Sequence, residues 1–182
     1  MPVTVFLIMA LGAAPAATEQ GMRDYFAGET RESFIFMGAG AASLGAAVPL
    51  FLQHGEVGRP MSIPLAIMGV VELALGIGLL ARTPKQVEGL ASQLQSDPAG
   101  WKEAESNRMR GVMNGFQIYR LFELTMGVTG AAMAGIGYVR DAPTVVGVGL
   151  GLLVQAAVLL TLDWFAEERG RKYSALIADF AP

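Results

Sequence analysis

Hydrophobic residues in this chain fall into blocks, not into a repeating stripe. Apolar runs of about 20 residues alternate with polar stretches, and about 20 is the length a helix needs to cross a hydrocarbon core. Four such blocks predict four membrane-spanning helices at about 33–53, 61–81, 118–139 and 144–165. The second of them, Leu65 to Leu80, is apolar except for one carboxylate, Glu72, near its middle. The connections are short between the first and second blocks (His54 to Pro60) and between the third and fourth (Arg140-Asp141-Ala142-Pro143), so these pairs are antiparallel neighbours.

The polar stretches carry their own helical signals. Thr83-Pro84 reads as an N-cap with proline in the first turn, and Asp97-Pro98 repeats it. Val87, Leu90, Ala91 and Leu94 follow at helical spacing, as do Trp101, Ala104, Met109, Val112, Met113 and Phe116. The reading is a helical hairpin over 84–116 outside the membrane, its second helix running on into the third span. Residues 167–180 read as a C-terminal amphipathic helix, whose Tyr173, Leu176, Ile177 and Phe180 share a face suited to dock on that hairpin. Glu19 to Glu32 reads as a polar connector broken at Gly28, with Thr30 capping the next helix. Residues 1–18 form a hydrophobic segment, either a signal peptide or a retained element of the membrane domain, which otherwise occupies 19–182. The predicted fold is therefore all-α: a polytopic membrane helix bundle of four main transmembrane helices, a cytoplasmic helical hairpin and an N-terminal hydrophobic segment.

Composition agrees with this class. Of 182 residues, 53% are hydrophobic and 16% charged, where soluble domains carry about a quarter charged. The absence of cysteine excludes disulfides, thiolate metal sites and cysteine nucleophiles, and the single histidine excludes a bis-histidine haem within one chain. A net charge of −3 without a basic stripe gives no sign of nucleic-acid binding. Charge placement does give an orientation. Arg23, Arg31, Arg82, Lys85, Lys102, Arg108, Arg110, Arg120, Arg169, Arg171 and Lys172 lie at one end, and only Arg59 and Arg140 at the other. By the positive-inside rule the hairpin and C-terminus are cytoplasmic.

Few residues carry candidate chemistry. Glu72 and Gln155 fall at similar mid-membrane depth and form a candidate intramembrane polar pair, a protonated Glu72 donating to Gln155. The bland reading is a clamp between the second and fourth spans; the sharper one is a proton or cation relay. Arg120, Glu123 and Asp163 form a candidate ion layer at the cytoplasmic edge, with Arg120 and Glu123 spaced to pair on one helix. Gly147 and Gly151, with Gly38 and Ala42 in the first span, are the expected helix-packing positions. His54 beside Glu56 falls short of a metal site. No catalytic set, metal site or cofactor motif is present.

Two stretches carry a resemblance: Ser96-Asp97-Pro98-Ala99-Gly100-Trp101-Lys102-Glu103-Ala104-Glu105-Ser106-Asn107-Arg108-Met109-Arg110, continuing to Tyr119-Arg120-Leu121-Phe122-Glu123, and Leu162-Asp163-Trp164-Phe165-Ala166-Glu167-Glu168-Arg169-Gly170-Arg171-Lys172-Tyr173. Over most of residues 25–175 the chain resembles a group of small four-span membrane proteins of Gram-negative, myxobacteria-like bacteria. The resemblance implies a bacterial inner-membrane location and no activity. The functional expectation is a non-enzymatic scaffold or accessory subunit, partnered by the bilayer and by a homo-oligomer or larger membrane complex. The alternative is a small transporter or channel subunit that uses Glu72.

Overall fold

A computed structural model describes residues 3–182, with side chains from Ala16 onward. The chain forms four long helices: α1 (Val3–Leu52), α2 (Gly58–Ser96), α3 (Pro98–Val139) and α4 (Pro143–Asp179). Side chains of the signal-peptide-like segment lie outside the described residues up to Pro15. α1 packs along α2 and α3 along α4, while α2 and α4 also meet across the middle. Three helices are long and apolar enough to cross a membrane: α1 from Ala16, α2 and α4. α3 is not among them; Arg120, Glu123 and two threonines dilute its apolar part.

Two expected interruptions are absent. α1 runs straight through Gly28 and Thr30, and α2 through Thr83 and Pro84. Neither threonine caps a helix. Thr30 Oγ1 donates to the Phe26 carbonyl at 3.1 Å, and Thr83 Oγ1 to the Leu79 carbonyl at 2.7 Å. These are the bonds to the preceding turn that threonine makes inside a helix. Gly28 is kept in mid-helix because the Arg169 side chain crosses it, where a Cβ would collide. The 84–116 region is thus the outer part of two continuous helices folded back at Asp97. There the sequence signal holds locally: the Asp97 side chain accepts from Gly100 N at 3.0 Å, with Pro98 in the first turn. At the other end, His54 (φ 53°) and Asp141 (φ 48°) turn the two short loops in the left-handed region, which His and Asp tolerate better than most residues.

Exposure divides the bundle crosswise. Among the described residues, the exposed large hydrophobics lie within 34–77 and 118–165, drawn from all four helices. Phe34, Ile67, Leu121 and Val128 are 58%, 59%, 68% and 70% exposed. The interior of this half holds glycines, a small cluster of Phe36, Met126, Ala156 and Leu159, and several polar side chains. At the other end the pattern is reversed. Met22, Tyr25, Phe26, Leu94, Trp101, Met109, Tyr173, Ile177 and Phe180 form a closed core beneath charged surfaces. Tyr25 stacks on Tyr173 with centroids 4.4 Å apart, and Phe180 meets Trp101 edge-on at 5.6 Å. The C-terminal face of α4 therefore packs on the outer parts of α2 and α3.

Candidate functional site

The polar groups buried inside the apolar half are the unusual chemistry of this molecule, and glycines place them there. On α2, Glu72 lies between Gly69 and Gly76 on one face. A Cβ at Gly69 would sit 3.0 Å from the Gly40 carbonyl oxygen, and one at Gly76 only 2.6 Å from that of Ser33. α1 is thereby drawn against the Glu72 face, the close approach that small residues permit in a lipid-like setting. Ser43, one turn beyond Gly40, donates to Glu72 Oε2 at 3.2 Å. On α4, Gly147 and Gly151 press against the start of α2, where a Cβ at Gly151 would lie 2.7 Å from the Met61 carbonyl. One turn further on, Gln155 Nε2 donates to Ser43 Oγ at 2.8 Å.

Glu72 and Gln155 are both fully buried. The hydrogen bonds between them run through Ser43, so the direct donation expected from sequence is replaced by a three-residue chain spanning α2, α1 and α4. Serine is common in apolar helices, so nothing in the sequence sets Ser43 apart except its position one turn after Gly40. Two buried oxygens, Glu72 Oε1 and Gln155 Oε1, have no hydrogen-bond partner among the described residues. Gly38 and Ala42 do not act as expected within the chain. Gly38 is exposed with nothing near its missing Cβ, and Ala42 is also exposed. The close contact of α1 falls instead at Gly40, two residues round the helix.

At the edge of the apolar half, the expected layer is rearranged. Arg120 pairs with Glu167 on α4, and not with Glu123. Arg171 also holds Glu167, at 2.9 Å. Glu123 is 3% exposed and lies beside Asp163 on α4. Its Oε2 has no partner. These groups surround a cavity of about 380 Å³ between α3 and α4.

The aromatic end contains a third polar system, one that spacing alone did not single out. Glu105 is buried; it takes two bonds from Arg108, at 2.6 and 2.7 Å, and one from the Tyr173 hydroxyl at 2.8 Å. The Arg108 guanidinium lies over the Phe26 and Tyr25 rings, at 5.3 and 5.8 Å. Burial works against its charge, but the Glu105 carboxylate outweighs this and holds its pKa above the usual range. Burial, then Glu105, pushes the Tyr173 phenol up; burial, then Glu29, does the same for Tyr25. Between the two halves, Glu29 Oε1 lies 2.9 Å from Thr83 Oγ1, whose one proton it shares with the Leu79 carbonyl, and accepts from Arg82 at 3.2 Å, and Glu32 pairs with Arg169.

Among the described residues no group of three His, Cys, Asp or Glu is placed to hold a metal. No protein-family model, curated protein or solved structure matches the chain.

Proposed function

We propose that this chain is a four-span bacterial inner-membrane protein that works without catalysis, as a scaffold or accessory subunit of a membrane assembly. The observation that carries the membrane reading is the inverted half of the bundle. Large hydrophobics face outward on all four helices over one continuous zone, and glycines, polar side chains and a small cluster around Phe36 and Met126 fill its interior. In water that surface would cost about 25 cal/mol for each Å² of apolar area left exposed. In a bilayer the cost disappears, and α3 joins the spans because its exposed Leu121, Phe122, Leu124 and Val128 share the same zone. The basic residues gather at the aromatic end, and this supports a cytoplasmic position for that end.

The scaffold reading draws on the Glu72–Ser43–Gln155 chain. It ties three helices together at one level, and both of its ends are sealed from the surface. A relay needs further ionisable groups leading away from Glu72; a clamp needs only what is present. The absence of native cysteine makes orientation simple to measure. A cysteine at Glu56 will react with an impermeant maleimide in intact cells, and one at Gln95 only after lysis. The role is tested in native membranes by crosslinking, which will capture a second copy or a constant partner. In liposomes the scaffold reading fails if the wild-type chain carries a proton or cation flux that Glu72→Gln abolishes.

A further inference from the structure

The cavity at the edge of the apolar half is amphoteric, and its charges are sorted. Arg120 and Arg171 both engage Glu167, Arg171 holds Glu168 as well at 2.8 Å, and each arginine keeps about half of its side-chain surface exposed (47% and 49%). Glu123 and Asp163 stand side by side on the same lining, near Arg120, and among the described residues neither forms an ion pair. Two adjacent carboxyls in a half-buried site repel one another unless a proton or a cation lies between them. Glu123 Oε2 is buried in the cavity wall and unpartnered, so it is an acceptor in want of a donor. The lining thus offers two guanidiniums to an anion and two carboxyls to an N–H cation, within about 380 Å³.

The surroundings identify the source of such a ligand. Trp164 forms part of the cavity wall and is 57% exposed, with Phe165 beside it equally exposed and Tyr119 56% exposed on α3. Exposed aromatic rings at the end of an apolar zone are the residues that sit at lipid headgroup level. From the cavity mouth, the outward-facing hydrophobics of α3 and α4 lead into the apolar half.

We infer that this cavity binds the headgroup of an aminophospholipid, its primary ammonium between Glu123 and Asp163 and its phosphate against Arg120 and Arg171. This rests on the membrane reading above. A primary ammonium donates hydrogen bonds to the carboxyls, and a trimethylated one has no N–H to donate. The site therefore distinguishes two lipids of equal net charge and equal tail length.

The full-length chain in mild detergent, mixed with equal amounts of phosphatidylethanolamine and phosphatidylcholine of identical acyl chains, tests this by native mass spectrometry. One phosphatidylethanolamine should be retained per chain in roughly tenfold preference, the worth of one charge-assisted hydrogen bond. Glu123→Gln combined with Asp163→Asn should erase the preference. Asp163→Asn alone serves if the double variant does not fold, since Asp163 is only partly buried. Arg120→Gln should weaken both lipids alike and leave the preference intact. Equal retention of the two lipids by the wild-type chain overturns the inference, as does a preference that survives loss of the carboxyls. Soluble phosphoethanolamine that displaces the lipid at matched concentration would also overturn it, by showing a site for a water-borne ligand. Carbonate extraction separates the two levels. A chain stripped from membranes refutes the membrane reading itself, whereas a chain that stays embedded but shows no preference refutes only the lipid site.

Discussion

The two ends of this bundle are built on opposite plans from the same four helices. At the aromatic end, Trp101, Phe26 and Met22 are sealed in the centre, and charged residues cover the outside. In the apolar half, Phe34, Ile67 and Val128 point outward, while Gly40, Gly69, Glu72 and Gln155 face the interior. The lesson is that one helix can obey two burial rules along its length. Water-facing parts are held by apolar area removed from solvent. Where the surroundings are as apolar as the core, helices are held by close backbone contact and buried hydrogen bonds. The join lies where Glu29 meets Thr83 and Arg82, and where Glu32 meets Arg169.

The comparison can be broken most severely at its water-facing end. Trp101→Ala removes the largest fully buried side chain and should cost about 3–5 kcal/mol, seen as a fall in the detergent melting temperature with membrane insertion unchanged. Next comes a single lysine placed on either surface. Ile67→Lys puts a charge on the exposed face of α2 in the apolar half and should impede insertion by about 2.5–3.5 kcal/mol. Ser92→Lys, equally on the surface of α2 but at the other end, should fall within about 0.5 kcal/mol of wild type. A glycosylation-based insertion assay for the first and thermal melting for the second measure that contrast, and similar costs at both sites would end the two-plan account.

The buried bridge is expected to give a smaller effect. Ser43→Ala cuts both hydrogen bonds that join Glu72 to Gln155, and should destabilise the bundle by about 1–2 kcal/mol, the range for interhelical hydrogen bonds in membranes. Unfolding in mixed micelles would register it. The mildest probe is alkaline pH. Tyr25 and Tyr173 titrate above their ordinary value in the fold, chiefly through burial. Once pH rises past about 10, the unfolded chain loses phenolic protons that the native state keeps. The native state then binds more protons, so stability is complete below that pH and declines above it. Tyr173→Phe should flatten the decline of the melting temperature between neutral and strongly alkaline pH; an unchanged slope would show that the stacked tyrosines do not govern it.

The sequence by itself determined the class and the levels of this protein. Block length and apolar content marked the three long apolar helices α1, α2 and α4, because a helix that crosses a bilayer needs a fixed number of apolar residues whatever its neighbours. Asp97-Pro98 marked the turn between α2 and α3, because an N-cap and its hydrogen bond to Gly100 are local. Glu72 and Gln155 were legible as inward-facing, since neither is cheap to leave against lipid. Tertiary structure decided everything that depends on which surface meets which. Thr30 and Thr83 look like caps in sequence, yet packing against neighbouring helices carries α1 and α2 straight through them. Gly38 and Gly40 are equivalent in composition, and only the rotation of α1 selects Gly40 for the contact with α2. Arg120 had a partner within its own helix at suitable spacing, but α4 brought Glu167 to it and left Glu123 facing Asp163. Ser43 became the centre of the buried chain for the same reason. Helical periodicity gives a residue's depth and face, while its partner lies on another helix whose rotation no local pattern encodes.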